Sequence, residues 1–75
     1  MITNLATLPI KNKIRELRFF ADEMTQQELA ELVGVTRQTI MSIEKCKHSP
    51  TLEIAFKIAE VFGQSIDEVF QYQSV

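Results

Sequence analysis

Two side chains able to act as nucleophile or general base lie two residues apart, Cys46 and His48, and they are the only cysteine and the only histidine. Thiolate catalysis needs a third group to orient the imidazole and donors for the developing oxyanion. No such group stands out, and 75 residues leave little room for a pocket, so no enzyme is expected. A lone thiol excludes an internal disulfide, and with one imidazole it excludes a cysteine-built zinc site. Neither a metal nor a cofactor is expected. Lys45 and Lys47 are the only cations beside Cys46 in the sequence, which leaves an inert thiol against a weaker redox-sensor reading.

A second group of residues offers recognition chemistry. On a helix starting at Arg37, the side chains of Arg37, Gln38, Met41, Ser42 and Lys45 span roughly 0–140° of the wheel, while Ile40 and Ile43 lie at about 240–300°. One side would be buried. The other would display a cation, an amide, a hydroxyl and a thioether in one patch.

The elements that must carry this patch follow from breakers and caps. The only glycines and prolines are Gly34, Gly63, Pro9 and Pro50, and all four punctuate. Apolar residues recur at helical spacing in five segments, at about 11–22, 26–33, 37–45, 52–62 and 66–71. Thr25-Gln26-Gln27-Glu28 and Ser65-Ile66-Asp67-Glu68 read as capping boxes. Thr36 and Thr51 read as N-caps, with Gly34 and Gly63 as left-handed stops. The chain ends alternate weakly, so short strands at about 2–5 and 71–74 stand against two frayed termini. The fold class expected is all-α, a five-helix bundle extended by a small antiparallel sheet if the ends pair, and one domain over 1–75.

Composition bounds the rest. The chain is 45% hydrophobic and 24% charged, with mean hydropathy −0.01 and pI near 5.3. That excludes a disordered tail and a membrane span. Residues 1–10 are uncharged and too short for a signal peptide. A cytoplasmic protein with no membrane partner is expected. The net charge of −2 argues against a polyanionic partner only as an average. Residues 1–20 carry +3 and 36–50 carry +2, against −4 over 21–35 and −3 over 51–75. The molecule is bipolar, and seven of its eight basic residues precede Pro50.

The second helix, a short turn and the third helix satisfy the constraints of a helix-turn-helix. Ala30 is small where the helices cross, Gly34 follows four residues on, and Ile40 anchors the second helix ten residues after Ala30. Leu29, Val35 and Ile43 complete the shared core.

On these residues, the stretch TQQELAELVGVTRQTIMSIEKCKHSPTLEIAFKIAEVFG resembles the phage-repressor type of helix-turn-helix regulator, the Cro/cI-like or Xre family. The likeness spans about residues 11–71. It is strongest for short single-domain members of the cytolysin-operon repressor type, in which the chain ends form a small sheet. The resemblance implies a double-stranded DNA-binding transcriptional regulator, a repressor, that binds a pseudo-palindrome as a homodimer. It places the recognition helix at 36–45. Arg37, Gln38, Met41 and Ser42 would contact bases. Gln26, Thr36, Thr39, Lys45 and Lys47 would contact phosphates.

The resemblance also implies an ion pair between Arg18 and Glu44, with direct DNA contact by Arg18 as the other reading. Lys11, Lys13 and Arg15 are either a solvated helix face or further phosphate contacts. The dimer surface is expected from Ile66, Val69, Phe70, Tyr72 and Val75, more apolar than a small monomer needs. No small-molecule ligand is expected. Two departures limit the transfer: Met41 stands where close relatives often have Asn, and Lys45-Cys46 where they often have Asn-Gly. The other reading of function is an antitoxin-type or other protein-interaction module, in which DNA binding is secondary.

Overall fold

A computed structural model describes residues 9–72. Seven elements follow in order: β1 (Ile10–Asn12), α1 (Ile14–Phe20), α2 (Gln26–Val33), α3 (Arg37–Glu44), α4 (Leu52–Phe62), α5 (Ile66–Val69) and β2 (Phe70–Tyr72). The fold is five helices with a two-stranded antiparallel sheet.

The middle helices start and stop where local chemistry dictates. Thr25 accepts from the Glu28 N–H at 3.0 Å, and the Glu28 carboxylate accepts from the Thr25 N–H at 2.8 Å. Thr36 and Thr51 each accept from the amide three residues on, at 3.2 Å. Such caps satisfy amides that have no partner inside the helix and contribute about 1 kcal/mol each. Gly34 and Gly63 end α2 and α4 at φ +80° and +63°. At α5 the Glu68 carboxylate accepts from the Ser65 N–H at 2.8 Å, and the Ser65 hydroxyl donates to both Asp67 and Glu68. The Ser65 hydroxyl, for Asp67, and the Ser65 amide with its hydroxyl, for Glu68, hold these carboxyls below the usual carboxylate range.

The core takes one stripe from each helix. Ile14, Leu29, Ala30, Val33, Ile40, Ile43, Ile58, Ala59 and Val69 form a single buried cluster. Burying a large aliphatic side chain contributes roughly 1.5–3 kcal/mol, so this cluster rather than helix propensity holds the short helices. α2 packs on both α3 and α4, which puts it at the centre of the bundle.

The ends depart from the expected boundaries. The first helix begins at Ile14, not near 11, because the backbones of Lys11 and Asn12 pair with Gln71 and Phe70. It stops at Phe20, short of 22, because Asp22 and Glu23 both turn left-handed, at φ 60° and 55°. The fifth helix stops at Val69 rather than 71, since Phe70 is extended. The C-terminal strand therefore starts one residue early, and its partner is Ile10–Asn12. The strand expected at 2–5, and residues 73–74 of the one expected at 71–74, lie outside the described residues. No helix among the described residues is long and apolar enough to cross a membrane.

Candidate nucleic-acid interface

The α2–α3 unit is built by local contacts. After Val33 the chain turns on Gly34, whose N–H donates to Ala30 O at 2.9 Å, and Val35 N–H donates to the same carbonyl at 3.0 Å. Ala30 is fully buried at the crossing. Thr36 then caps α3, and its hydroxyl lies 3.1 Å from that of Thr39. Ile40 and Ile43 are buried and fix which side of α3 faces inward.

The opposite side carries the expected residues. Thr36, Arg37 and Gln38 are exposed at the start of α3. Thr39, Met41 and Ser42 are half-buried, while Lys45 and Lys47 are exposed just past its end. An exposed amide and guanidinium at the first turn, with shorter side chains behind, suit insertion of a helix end into a groove lined by donors and acceptors.

A bridge behind this face joins three helices. Arg18 Nε and Nη2 donate to the two Glu44 carboxylate oxygens at 2.7 and 3.1 Å. Arg18 Nη1 donates to Met24 O at 2.8 Å. The side chains of Arg18 and Glu44 are 14% and 9% exposed, so the pair is mostly shielded from water. The bidentate fork aligns α1 with the end of α3. Gln26 completes the bridge: its Nε2 donates to Glu44 Oε1 at 3.1 Å. This half-buried amide is thus already engaged within the protein, and its backbone N–H at the start of α2 is the part better placed for an anion. Arg15, Arg18, Gln26, Met41, Glu44 and Lys45 line one shallow groove, which brings the α1 cation Arg15 alongside α3.

Asn12 is the residue that sequence reasoning missed. Its Nδ2 donates to Ile43 O at 2.9 Å and its Oδ1 accepts from Ile14 N–H at 3.2 Å. An asparagine two residues ahead of an apolar helical stripe is an N-terminal signal, and it would have moved the start of the first helix to its observed place.

The residues expected to form a dimer surface separate. Val69 is fully buried in the core of its own chain and offers nothing to a partner. α5 is a single turn packed against α4 and β2, and Val69 is the residue it buries. Phe70 is half-buried and packs against the core. Ile66 is half-buried in a shallow apolar groove with Phe56 and Ala59, and Tyr72 is 73% exposed. Val75 lies outside the described residues. Cys46 is half-buried in a left-handed conformation at φ 59°. Among the described residues, no group of three His, Cys, Asp or Glu side chains could hold a metal.

Comparison with known proteins gives a consistent set. The family model HTH_3, described as helix-turn-helix, matches residues 14–69. An uncharacterized HTH-type transcriptional regulator of Methanocaldococcus jannaschii is 47% identical over 64 residues, covering 85% of this chain and 96% of its own length. The cryptic phage CTXphi transcriptional repressor RstR of Vibrio cholerae is 40% identical over 58 residues, 77% of this chain and 51% of that protein. A crystal structure of a Bacteroides fragilis protein proposed to bind DNA superposes with a TM-score of 0.71 at 24% identity, over 83% of this chain and 98% of the other. That last likeness is one of fold.

Proposed function

Since the chain belongs to the helix-turn-helix family HTH_3 and is similar to proteins named as HTH-type transcriptional regulators, we propose that it is a sequence-specific DNA-binding repressor. One observation carries this reading. α3 is anchored by buried Ile40 and Ile43 and capped by Thr36, leaving Arg37 and Gln38 exposed at its first turn. In this reading α3 enters the major groove. The Arg37 fork reads guanine O6 and N7, and Gln38 reads adenine N6 and N7 or a phosphate. Met41 touches a thymine methyl, and Ser42 bonds a base or phosphate. Thr36, Thr39, Lys45, Lys47 and the Gln26 amide hold the backbone, and Arg15 joins them.

The repressor sign is supported by the name of the Vibrio cholerae relative. The strand pair supports grouping with the short cytolysin-operon repressor type. A cytoplasmic homodimer on a pseudo-palindrome fits a single module that reads few bases, with half-site centres about 34 Å apart. Its surface is drawn from Ile66, Phe70 and Tyr72, without Val69. The test is selection of bound sequences from a random DNA library. A symmetric consensus is expected, with affinity for it falling roughly 10–100-fold in the Arg37→Ala, Gln38→Ala double variant. Unchanged affinity in that variant overturns the assignment of the reading face, and a monomeric mass at operator-binding concentrations overturns the dimer.

A further inference from the structure

We propose that Asn12 is a positioning residue that couples the β1–β2 sheet to the end of α3, setting the angle at which α3 stands to the chain-end surface. The inference deepens the DNA-binding reading and rests on it for one of its two readouts.

The backbone of Asn12 belongs to the sheet. It sits opposite Phe70, and the next residue continues the link through Lys13 N–H to Val69 O at 2.9 Å. Its side chain belongs to the helices. The amide has one donor end and one acceptor end facing different partners, and both are used: Ile43 O in the last turn of α3 and Ile14 N–H in the first turn of α1. The Ile43 carbonyl also accepts from the turn that follows α3, at Cys46 N–H, but among the described residues the Asn12 amide is the donor that reaches the α3 backbone from a distant part of the chain. The Arg18 and Gln26 contacts end on the Glu44 side chain, whose rotamers can absorb a shift. A bond to a backbone carbonyl cannot be relaxed that way. Ile10, Ile43, His48, Ser49, Pro50 and Phe70 line a narrow cleft with Asn12, so the amide sits between strand, helix end and the loop that follows it.

Asparagine is the side chain the geometry requires. Asp keeps the acceptor for Ile14 but turns an oxygen toward the Ile43 carbonyl. Ser keeps a short acceptor and lacks the reach to Ile43. In a twofold dimer seated on the sheet and α5, this amide is the hydrogen-bonded link from that surface to each α3, alongside the packed core.

The experiment uses the full chain with Asn12→Ser and Asn12→Asp, so that a folding failure in one leaves the other. Amide hydrogen exchange without DNA is the first readout. The Cys46 and Lys47 amides, bonded to Ile43 O and Ser42 O, are expected to exchange about five- to tenfold faster, with Leu29–Val33 unchanged. The second readout is affinity for the selected operator and for versions with one base pair added or removed between half-sites. Wild type is expected to discriminate among spacings, and the variants to lose most of that discrimination while still binding. Uniform acceleration at all amides, or none at Cys46 and Lys47, overturns the coupling. Equal weakening on every spacing reduces Asn12 to a packing role and also overturns it. If wild type binds no operator, the DNA reading fails, while the exchange experiment still decides the coupling.

Discussion

Two connections join consecutive helices in the first half of the molecule, and they are held in opposite ways. Between α2 and α3 everything is local: Gly34 takes the left-handed position at φ 80°, its amide returns to Ala30, and Thr36 caps the next helix. Between α1 and α2 there is no glycine. Asp22 and Glu23 both sit left-handed, at a cost of about 1–2 kcal/mol for an ordinary L residue. That loop is held by Arg18, which accepts the Met24 N–H on its carbonyl at 2.9 Å and donates from its guanidinium to Met24 O at 2.8 Å. The guanidinium is in turn fixed by Glu44, far along the chain. One turn is specified by its own residues, the other by tertiary structure. The self-sufficient turn is the one that leads into α3, the proposed reading helix.

The contrast breaks most readily at the clamp. Arg18→Ala removes the fork, leaves the Glu44 carboxylate to Gln26 alone and frees the strained loop. It is expected to destabilise by about 2–4 kcal/mol, measured by urea denaturation. Arg18→Met with Glu44→Leu should recover most of that, because no buried charge is then left unpaired. Should Arg18→Ala prove neutral, the loop would have to be held by its own backbone bonds. A smaller effect is expected at the local turn. A methyl group at Gly34 would meet nothing within 4 Å, so Gly34→Ala should cost only the conformational penalty, about 1–2 kcal/mol in the same assay. The smallest effect has the opposite sign. Glu23→Gly relieves a left-handed residue but loosens the unfolded chain. A gain of at most about 1 kcal/mol is expected, seen as a slightly raised thermal midpoint. A clear loss would mean that the loop relies on the Glu23 side chain.

This difference also explains what could be read in advance. Helices α2, α3 and α4 lie where Thr25, Thr36, Thr51, Gly34 and Gly63 place them, because capping is chemistry between neighbours. The ends of the first helix are not legible in this way, because what decides them is remote: Phe70 claims Asn12 at one end, and Arg18 with Glu44 stabilises a glycine-free turn at the other. Cys46 belongs with these cases. It holds a left-handed position after α3, where glycine would be the easy choice, and nothing in its residue type announces it. On α3, the exposure of Gln38 is legible because helical periodicity alone sets it opposite Ile40 and Ile43, with Arg37 exposed at the edge of that face. The engagement of Gln26 by Glu44 is not, since it depends on how α2 crosses α3. The burial of Val69 is hidden for the same kind of reason: a single helical turn has too few residues for a periodicity to reveal which side faces in.

The pairing of β1 with β2 also orders events in time. Asn12 meets Phe70 across most of the chain, and closing so long a loop carries an entropic cost that short-range contacts escape. The contacts among Ala30, Gly34 and Ile40 close over a few residues and form early. During synthesis the strand must wait for Tyr72, by which point α2 and α3 have long been made. The sheet, and with it the framework that carries the Asn12 bond to the end of α3, can close only once the residues of both helices are in the chain.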